Sequence, residues 1–463
     1  MTLPAIDYTN MLDGAVPDGG IDPARLDGDL ADRFRVAHAD VEGRRASGEI
    51  GFFDLPEDEA LLAATREAAD TFGQWFETVV VLGIGGSALG TTTLRESLLK
   101  GGWNELDDET RDHYPKLYVL DNPDPATVLG LLDRLDLART LFNVVSKSGS
   151  TAETMAQFLV VWGRLEEALG PDKVHGHFLF TTSPTSGALR DLAIEKGIPT
   201  LPVPENVGGR FSVLSPVGLL PAAVAGVDVE ALLRGAADME ARCRSSELKE
   251  NPAGILATLL HAADSELELG IHVLMPYADR LKSFALWFQQ LWAESLGKAV
   301  DRTGAKAEVG PTPLPAVGAT DQHSQVQLFM EGPRDKVVLF IATQGSGDQV
   351  TVPQPFPDTD SLTYLSGKTL GQLLDAERRA TAEALRRRGR LNLTIETGAV
   401  DASTLGALFM LFQISTVYAG ALYGVDPLDQ PGVELGKVLT YGLMGRDGYE
   451  EPEIPAPDPR WRV

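Results

Sequence analysis

The sequence predicts an α/β protein built as two parallel-sheet domains, with helices on both faces of each sheet. Three observations predict it. The apolar runs Thr78–Leu82, Lys116–Leu120, Leu141–Val145 and His177–Phe180 have the hydrophobicity of strands buried on both faces, and helical patterns separate them. A second alternation, with apolar runs Ile271–Met275, Lys336–Ile341 and 391–396, occupies the C-terminal half. No repeat of roughly 20–50 residues runs through the chain, which argues against a solenoid or propeller.

Taken in order, residues 1–76 read as a helical, acidic N-terminal segment with little strand signal. Residues 77–210 form the first domain. Its clearest helix follows Val145, where Met155, Phe158, Leu159, Trp162, Leu165 and Leu169 make one apolar stripe. Ser150 with Glu153 has the pattern of a capping box at its start, and Gly170 suits its end. Residues 211–269 read as a helical linker. Residues 270–445 form the second domain, with helices expected at 279–297, 366–388, 403–423 and 432–443. The Pro-rich, acidic tail 446–463 is expected at the surface.

The formal charge of −26 makes nucleic acid and anionic membranes poor partners. An anionic substrate is repelled at long range too, so an anion site needs its own local cations. No run of 18 apolar residues is evident, so no membrane span is expected. Met1 to Met11 lacks the basic-then-apolar pattern of a secretion signal, and the single cysteine, Cys243, forms no internal disulfide. A cytoplasmic protein is the expectation.

Chemistry concentrates in a few motifs. Ser146-Lys147-Ser148-Gly149-Ser150-Thr151 stands where an apolar run ends and a helix begins. The first turn of a helix offers free N–H groups and the positive end of its dipole, so this turn is suited to a phosphate. Gly83-Ile84-Gly85-Gly86-Ser87-Ala88 also follows a strand, but the acidic residue a dinucleotide site needs about 20 positions on is missing, and the next strand ends near Asp121. A loop admitting a sugar, with Ser87 bonding a hydroxyl, fits better. Asn206-Val207-Gly208-Gly209-Arg210 sets two glycines beside a permanently charged guanidinium, suited to a developing oxyanion. Glu294 ends an aromatic helix (Trp287, Phe288, Leu291, Trp292), where a partly desolvated carboxylate is a usable proton-transfer base; the plain alternative is an exposed pair with Lys298. His323 lies in a polar turn. Gln430 and Lys437 are spaced to face one cleft. His175 and His177 are spaced like metal ligands, but no Cys/His cluster supports them.

In this order, GIGGSALG, SKSGSTAET, NVGGRFSVLSP, WAESLGK, GATDQHSQVQ and DQPGVELGK resemble the phosphoglucose isomerase family over about residues 78–440. The resemblance implies two sugar-isomerase domains and interconversion of glucose 6-phosphate and fructose 6-phosphate, a step of glycolysis and gluconeogenesis. The route is ring opening and proton transfer through a cis-enediol, with no metal or organic cofactor. It implies that Ser146, Lys147, Ser148 and Thr151 hold the phosphate and that Glu294 moves the proton. Gly209 and Arg210 face the enediolate, His323 and Lys437 open the ring, and Gln430 and Ser87 position the sugar. It also implies a homodimer with His323 contributed across the interface. Mannose 6-phosphate is a further candidate substrate. A sugar-phosphate sensor would not need Glu294, His323, Arg210 and Lys437 together. Leu296, Leu428 and Pro431 depart from the usual family residues.

Overall fold

The computed structural model describes residues 3–16, 19–343 and 350–463. The N-terminal segment carries a three-residue strand, β1 (Ala5–Asp7), and then helices α1 (Asp29–Ala46) and α2 (Glu59–Trp75). The strand adds to a segment read as helical with little strand signal. Ala5, Ile6 and Asp7 pair antiparallel with residues 394–396 at the far end of the chain, and three residues are too few to show an alternating pattern.

The first sheet is formed by β2 (Thr78–Leu82), β3 (Lys116–Leu120), β4 (Thr140–Ser146), β5 (Phe178–Thr182) and β6 (Thr200–Pro202). All are parallel, in the order β3-β2-β4-β5-β6. Helices α3 (Leu89–Leu98), α4 (Pro125–Leu132), α5 (Ala152–Leu169) and α6 (Ala188–Lys196) fill the crossovers. Strand residues alternate between two cores. Val79, Val81, Leu141 and Val145 face α2 and the later helix α7 (Pro216–Val224), whereas Val80, Leu82, Phe142 and Val144 face α4, α5 and α6. β5 runs two residues beyond the expected run because it ends in Thr181 and Thr182. Both are fully buried, and their hydroxyls are satisfied by Asn143 Oδ1 and the Ser146 carbonyl. His177 is accounted for as a strand-end residue: its Nδ1 bonds the Thr140 carbonyl at 2.9 Å.

After α7 come α8 (Val229–Arg242) and α9 (Pro252–Leu267). Both pack on the central helix of the second half, so the segment expected to link the halves is built into the core. The second sheet has the order β1-β12-β11-β7-β10. Its chain path is β7 (Ile271–Pro276), α10 (Lys282–Leu296), the hairpin β8 (Lys298–Val300) and β9 (Lys306–Val309), then β10 (Thr312–Pro315), α11 (Val326–Glu331) and β11 (Lys336–Thr343). Next are α12 (Asp360–Thr363), α13 (Leu370–Arg387), β12 (Asn392–Thr397), α14 (Ala402–Tyr423) and α15 (Glu434–Leu443). β7, β10, β11 and β12 are mutually parallel. β10 escapes sequence reading because Pro313 and Pro315 interrupt it, which only an edge strand tolerates.

α14 is long and, on average, apolar enough to cross a membrane by composition, although Gln413, Ser415 and Thr416 interrupt its apolar run. Here it is the buried axis of the second half, packed by α8, α9, α1 and α10, with Gln413, Ser415 and Thr416 fully enclosed. Ser415 and Thr416 return their hydroxyls to the carbonyls four residues back, which removes the cost of burying them. The Cys243 thiol is buried, which pushes its pKa up to about 12. Burial pushes His272, on β7, down to about 3, so the imidazole is neutral and accepts from Trp292 Nε1 at 3.0 Å.

Candidate active site

In the first sheet the chain passes from β2 to β3 on one side and returns to β4 on the other. The crevice beyond the carboxyl ends of β2 and β4 is therefore a topological switch point, the place where open α/β sheets bind ligands. The glycine loop 83–88 follows β2 and the hydroxyl turn 146–151 follows β4, so both open into it.

The turn is built for close backbone approach. Gly149 has φ +64°, and a side chain there would press on the amide nitrogens of Ala188 and Leu189 at 3.0–3.1 Å. The expected capping box is not formed. Thr151 is the N-cap residue of α5 and makes no cap hydrogen bond; its hydroxyl meets Ser146 Oγ at 3.0 Å, and Ser150 turns to Ser148 Oγ at 3.3 Å. The uncapped first turn of α5 keeps its N–H groups available to an anion. Lys147 sits differently from a free phosphate ligand. Its ammonium donates to the carbonyls of Glu205 (2.6 Å) and Val207 (3.0 Å), tying the turn to the loop that carries Arg210. Its partial burial lowers the ammonium pKa, and the nearby Glu205 carboxylate opposes that shift.

That loop returns from β6 across the crevice to the glycine loop. A Cβ on Gly86 would lie 2.4 Å from Gly209 C and O and 2.6 Å from Arg210 N, so only glycine lets the two backbones meet. Asn206 faces away: its side chain donates to the Gly48 carbonyl, and its own carbonyl accepts from Gly51 N. Ser87 is half-buried, and no hydrogen bond within the described chain engages its hydroxyl.

α10 supplies the opposite wall. Trp287, Phe288, Leu291 and Trp292 are buried, which turns Leu286, Gln290, Ala293, Glu294 and Gly297 to the other face, at helical spacing. Together with Leu89 and residues 430–433 they line a cleft of about 600 Å³. Glu294 does not pair with Lys298. Its Oε2 accepts from Gln290 Nε2 at 3.0 Å, and its Oε1 lies 3.3 Å from Arg210 Nη1. A Cβ on Gly85 would come 2.9 Å from Gln290 Nε2, so the glycine loop packs directly on this pair.

The Arg210 guanidinium is buried and donates four hydrogen bonds, with the Glu294 carboxylate close by. Nε donates to Ser295 Oγ (2.7 Å), Nη1 to Gln430 Oε1 (2.9 Å) and toward Glu294, and Nη2 to the carbonyls of Pro427 and Asp429. Burial lowers its pKa, and the carboxylates of Glu294, Asp429 and Asp426 oppose the shift. Arginine starts so far above neutrality that the charge persists.

The structure brings together Ser87, Gly209, Arg210, Glu294 and Gln430, with Ser146, Lys147, Ser148 and Thr151 on the adjoining turn. His323 and Lys437 stand apart. His323 is exposed at the end of a turn organised by Asp321, whose carboxylate accepts from Val317 N (2.7 Å) and from the Ser324 hydroxyl; no hydrogen bond in the described chain reaches the imidazole. Lys437 pairs with Glu434 at 2.7 Å on the surface of α15, a helix exposed along most of its length. Gln290, Ser295 and Lys298 are site residues that sequence reasoning passed over as chemistry. The four-residue spacing from Gln290 to Glu294 was the available signal for the first. Among the described residues no group of three or more His, Cys, Asp or Glu side chains is placed to hold a metal ion.

The family profile described as phosphoglucose isomerase matches residues 64–447. The chain belongs to the phosphoglucose isomerase family. It is 42% identical over 447 residues to a glucose-6-phosphate isomerase of Carboxydothermus hydrogenoformans, covering 96% of each chain. It is 46% identical over 448 residues to one from Rubrobacter xylanophilus, covering 96% of this chain and 98% of that one. The crystal structure of a hypothetical protein from Thermus thermophilus superposes with a TM-score of 0.84 at 38% identity, over 96% of this chain and 100% of that one. A glucose-6-phosphate isomerase from Chlamydia trachomatis gives a TM-score of 0.71 at 25% identity, over 83% and 72%. Within the phosphoglucose isomerase framework, the departures fall in distinct places. Leu296 is buried in the central core, and Leu428 packs against it; Pro431 alone of the three lines the cleft.

Proposed function

We propose that this cleft interconverts glucose 6-phosphate and fructose 6-phosphate through a cis-enediol, without metal or organic cofactor. The carrying observation is the placement of the Glu294 carboxylate 3.3 Å from the buried Arg210 guanidinium, on the loop that Lys147 ties to the uncapped turn 146–151. A proton next to a carbonyl is weakly acidic, so its removal needs a base together with stabilisation of the resulting oxyanion. Glu294 takes the proton from one carbon and returns it to its neighbour. Arg210 offsets the enediolate charge, and a substrate oxygen takes over the N–H that Gln430 Oε1 occupies. Ser146, Ser148, Thr151 and the first amides of α5 hold the phosphate; Lys147 contributes its charge while bracing the loop at 205–207. Because the phosphate does not react, its binding energy serves to fix the geometry of the reacting carbons. Ser87 and the Gly209 backbone position the sugar.

His323 and Lys437 open the ring in the assembled homodimer, with His323 supplied by the partner subunit. The exposure of His323 supports this, as does α15, which presents Leu435, Val438, Leu439 and Leu443 to solvent on a helix adjoining the cleft. Purified protein should interconvert the two hexose 6-phosphates in the presence of a chelator, with mannose 6-phosphate assayed alongside. Activity abolished by the chelator would contradict the metal-free route. Mixing Glu294→Gln protein with His323→Ala protein and allowing subunits to exchange should restore about a quarter of wild-type activity, since half of the dimers then hold one intact site of two. No recovery beyond the sum of the separate variants would show that Glu294 and His323 of one site lie on the same chain.

A further inference from the structure

We propose that Lys298 is a positioning residue for the proton transfer, joining the helix that carries Glu294 to the loop that grips Arg210. This rests on the reaction assigned above. The Lys298 side chain is buried at the junction of α10 and β8, and its ammonium donates to three converging carbonyls: Glu294 (2.8 Å), Ser295 (2.9 Å) and Asp429 (3.0 Å). Asp429 Oδ1 lies 3.4 Å away.

The first two bonds satisfy the open carbonyls at the C-terminal end of α10, the negative end of its dipole. Exposed helix ends obtain the same satisfaction from water, with no need to bury an ammonium. Here the burden is real: burial lowers the Lys298 pKa and the neighbouring Arg210 charge lowers it further, against the pull of Asp429 and Asp426. The third bond is what a capping water would not place with the same fixed geometry. Asp429 O also accepts from Arg210 Nη2 at 2.9 Å, so one carbonyl oxygen is shared by the two cations. From that oxygen, one path runs through Arg210 to the enediolate position and the other through Lys298 to the last turn of α10, where Glu294 projects into the cleft. Lys298 therefore sets the separation between base and guanidinium without touching substrate. The proposed phosphate turn takes no hydrogen bond from Lys298. Its brace is Lys147, bonded to carbonyls 205 and 207.

The consequence is a split between turnover and anchoring. Lys298→Met keeps an unbranched stem and removes the ammonium. With fructose 6-phosphate as substrate, its kcat should fall about 10- to 100-fold, as expected for a misplaced reacting group. The competitive inhibition constant of inorganic phosphate should stay within about twofold of wild type. An unchanged kcat overturns the proposal, and so does a parallel loss of kcat and phosphate inhibition in folded protein, which would mark a general structural role. If Lys298→Met does not fold, Lys298→Gln, which keeps two donors and loses the charge, is judged by the same two constants and the same outcomes. The unmodified protein in the same assay separates the two ideas: no isomerisation there would defeat the reaction assignment rather than the role of Lys298.

Discussion

Glu294→Gln should lower turnover by about 10²-fold or more, the contribution expected of a positioned base, while inorganic phosphate still inhibits at close to the wild-type concentration. The substitution is well suited to isolating chemistry because the site can absorb an amide. Gln290 Oε1 is buried without a hydrogen-bond partner, and Gln290 Nε2 donates to Glu294 Oε2 at 3.0 Å. Flipping the Gln290 amide lets its oxygen accept from the new amide N–H₂, which leaves the new carbonyl toward Arg210. The hydrogen bond to Gln290 is thus kept, while the carboxylate's charge beside Arg210 and its ability to take up a proton are lost. Steady-state kinetics in both directions measure the effect. A rate within a few fold of wild type would remove Glu294 from the base role.

Arg210→Lys should be nearly as damaging, and in two respects. A lysine keeps the charge, but its single nitrogen cannot reach Ser295, Gln430, Pro427 and Asp429 at once, as the planar guanidinium does. At least one buried acceptor is then left without a donor, a loss of about 1–3 kcal/mol for each, read as a lower midpoint in urea unfolding. Turnover should fall by about 10²–10³-fold because a preorganised oxyanion partner has lost its geometry. Wild-type turnover in this variant would show that charge alone suffices and that the fork of donors around residues 427–430 is irrelevant to the reaction.

The two alternations of apolar runs and helical stripes were legible because parallel strands buried on both faces leave long hydrophobic signatures. Elements with weaker local signatures were not. β1 is three residues long and is placed by pairing with β12, nearly 400 residues on, and by packing of Ile6 on the core. β10 reads as a proline-rich loop, and β5 hides two buried threonines whose partners both lie on the neighbouring strand β4. α14 has a composition that fits either a membrane or a core, and its position inside a bundle decides which. In the site, Glu294 and Lys298 have the four-residue spacing of an ion pair, yet the lysine turns back to close the helix and the carboxylate meets an arginine 84 residues earlier in the chain.

From the sequence alone came the class of fold, the hydroxyl-rich turn proposed to hold phosphate, and the set of residue types able to do aldose–ketose chemistry, because strand burial and glycine-rich turns are local properties written in neighbouring residues. Only the folded chain decided which of those groups meet. Arg210 is held by carbonyls more than 200 residues away, Lys147 braces a loop, and His323 and Lys437 remain on the surface of the single chain. The reason is physical: a hydrogen bond depends on distance and direction in space, and those are fixed by how two sheets and a buried helix pack, not by the spacing of residues along the backbone.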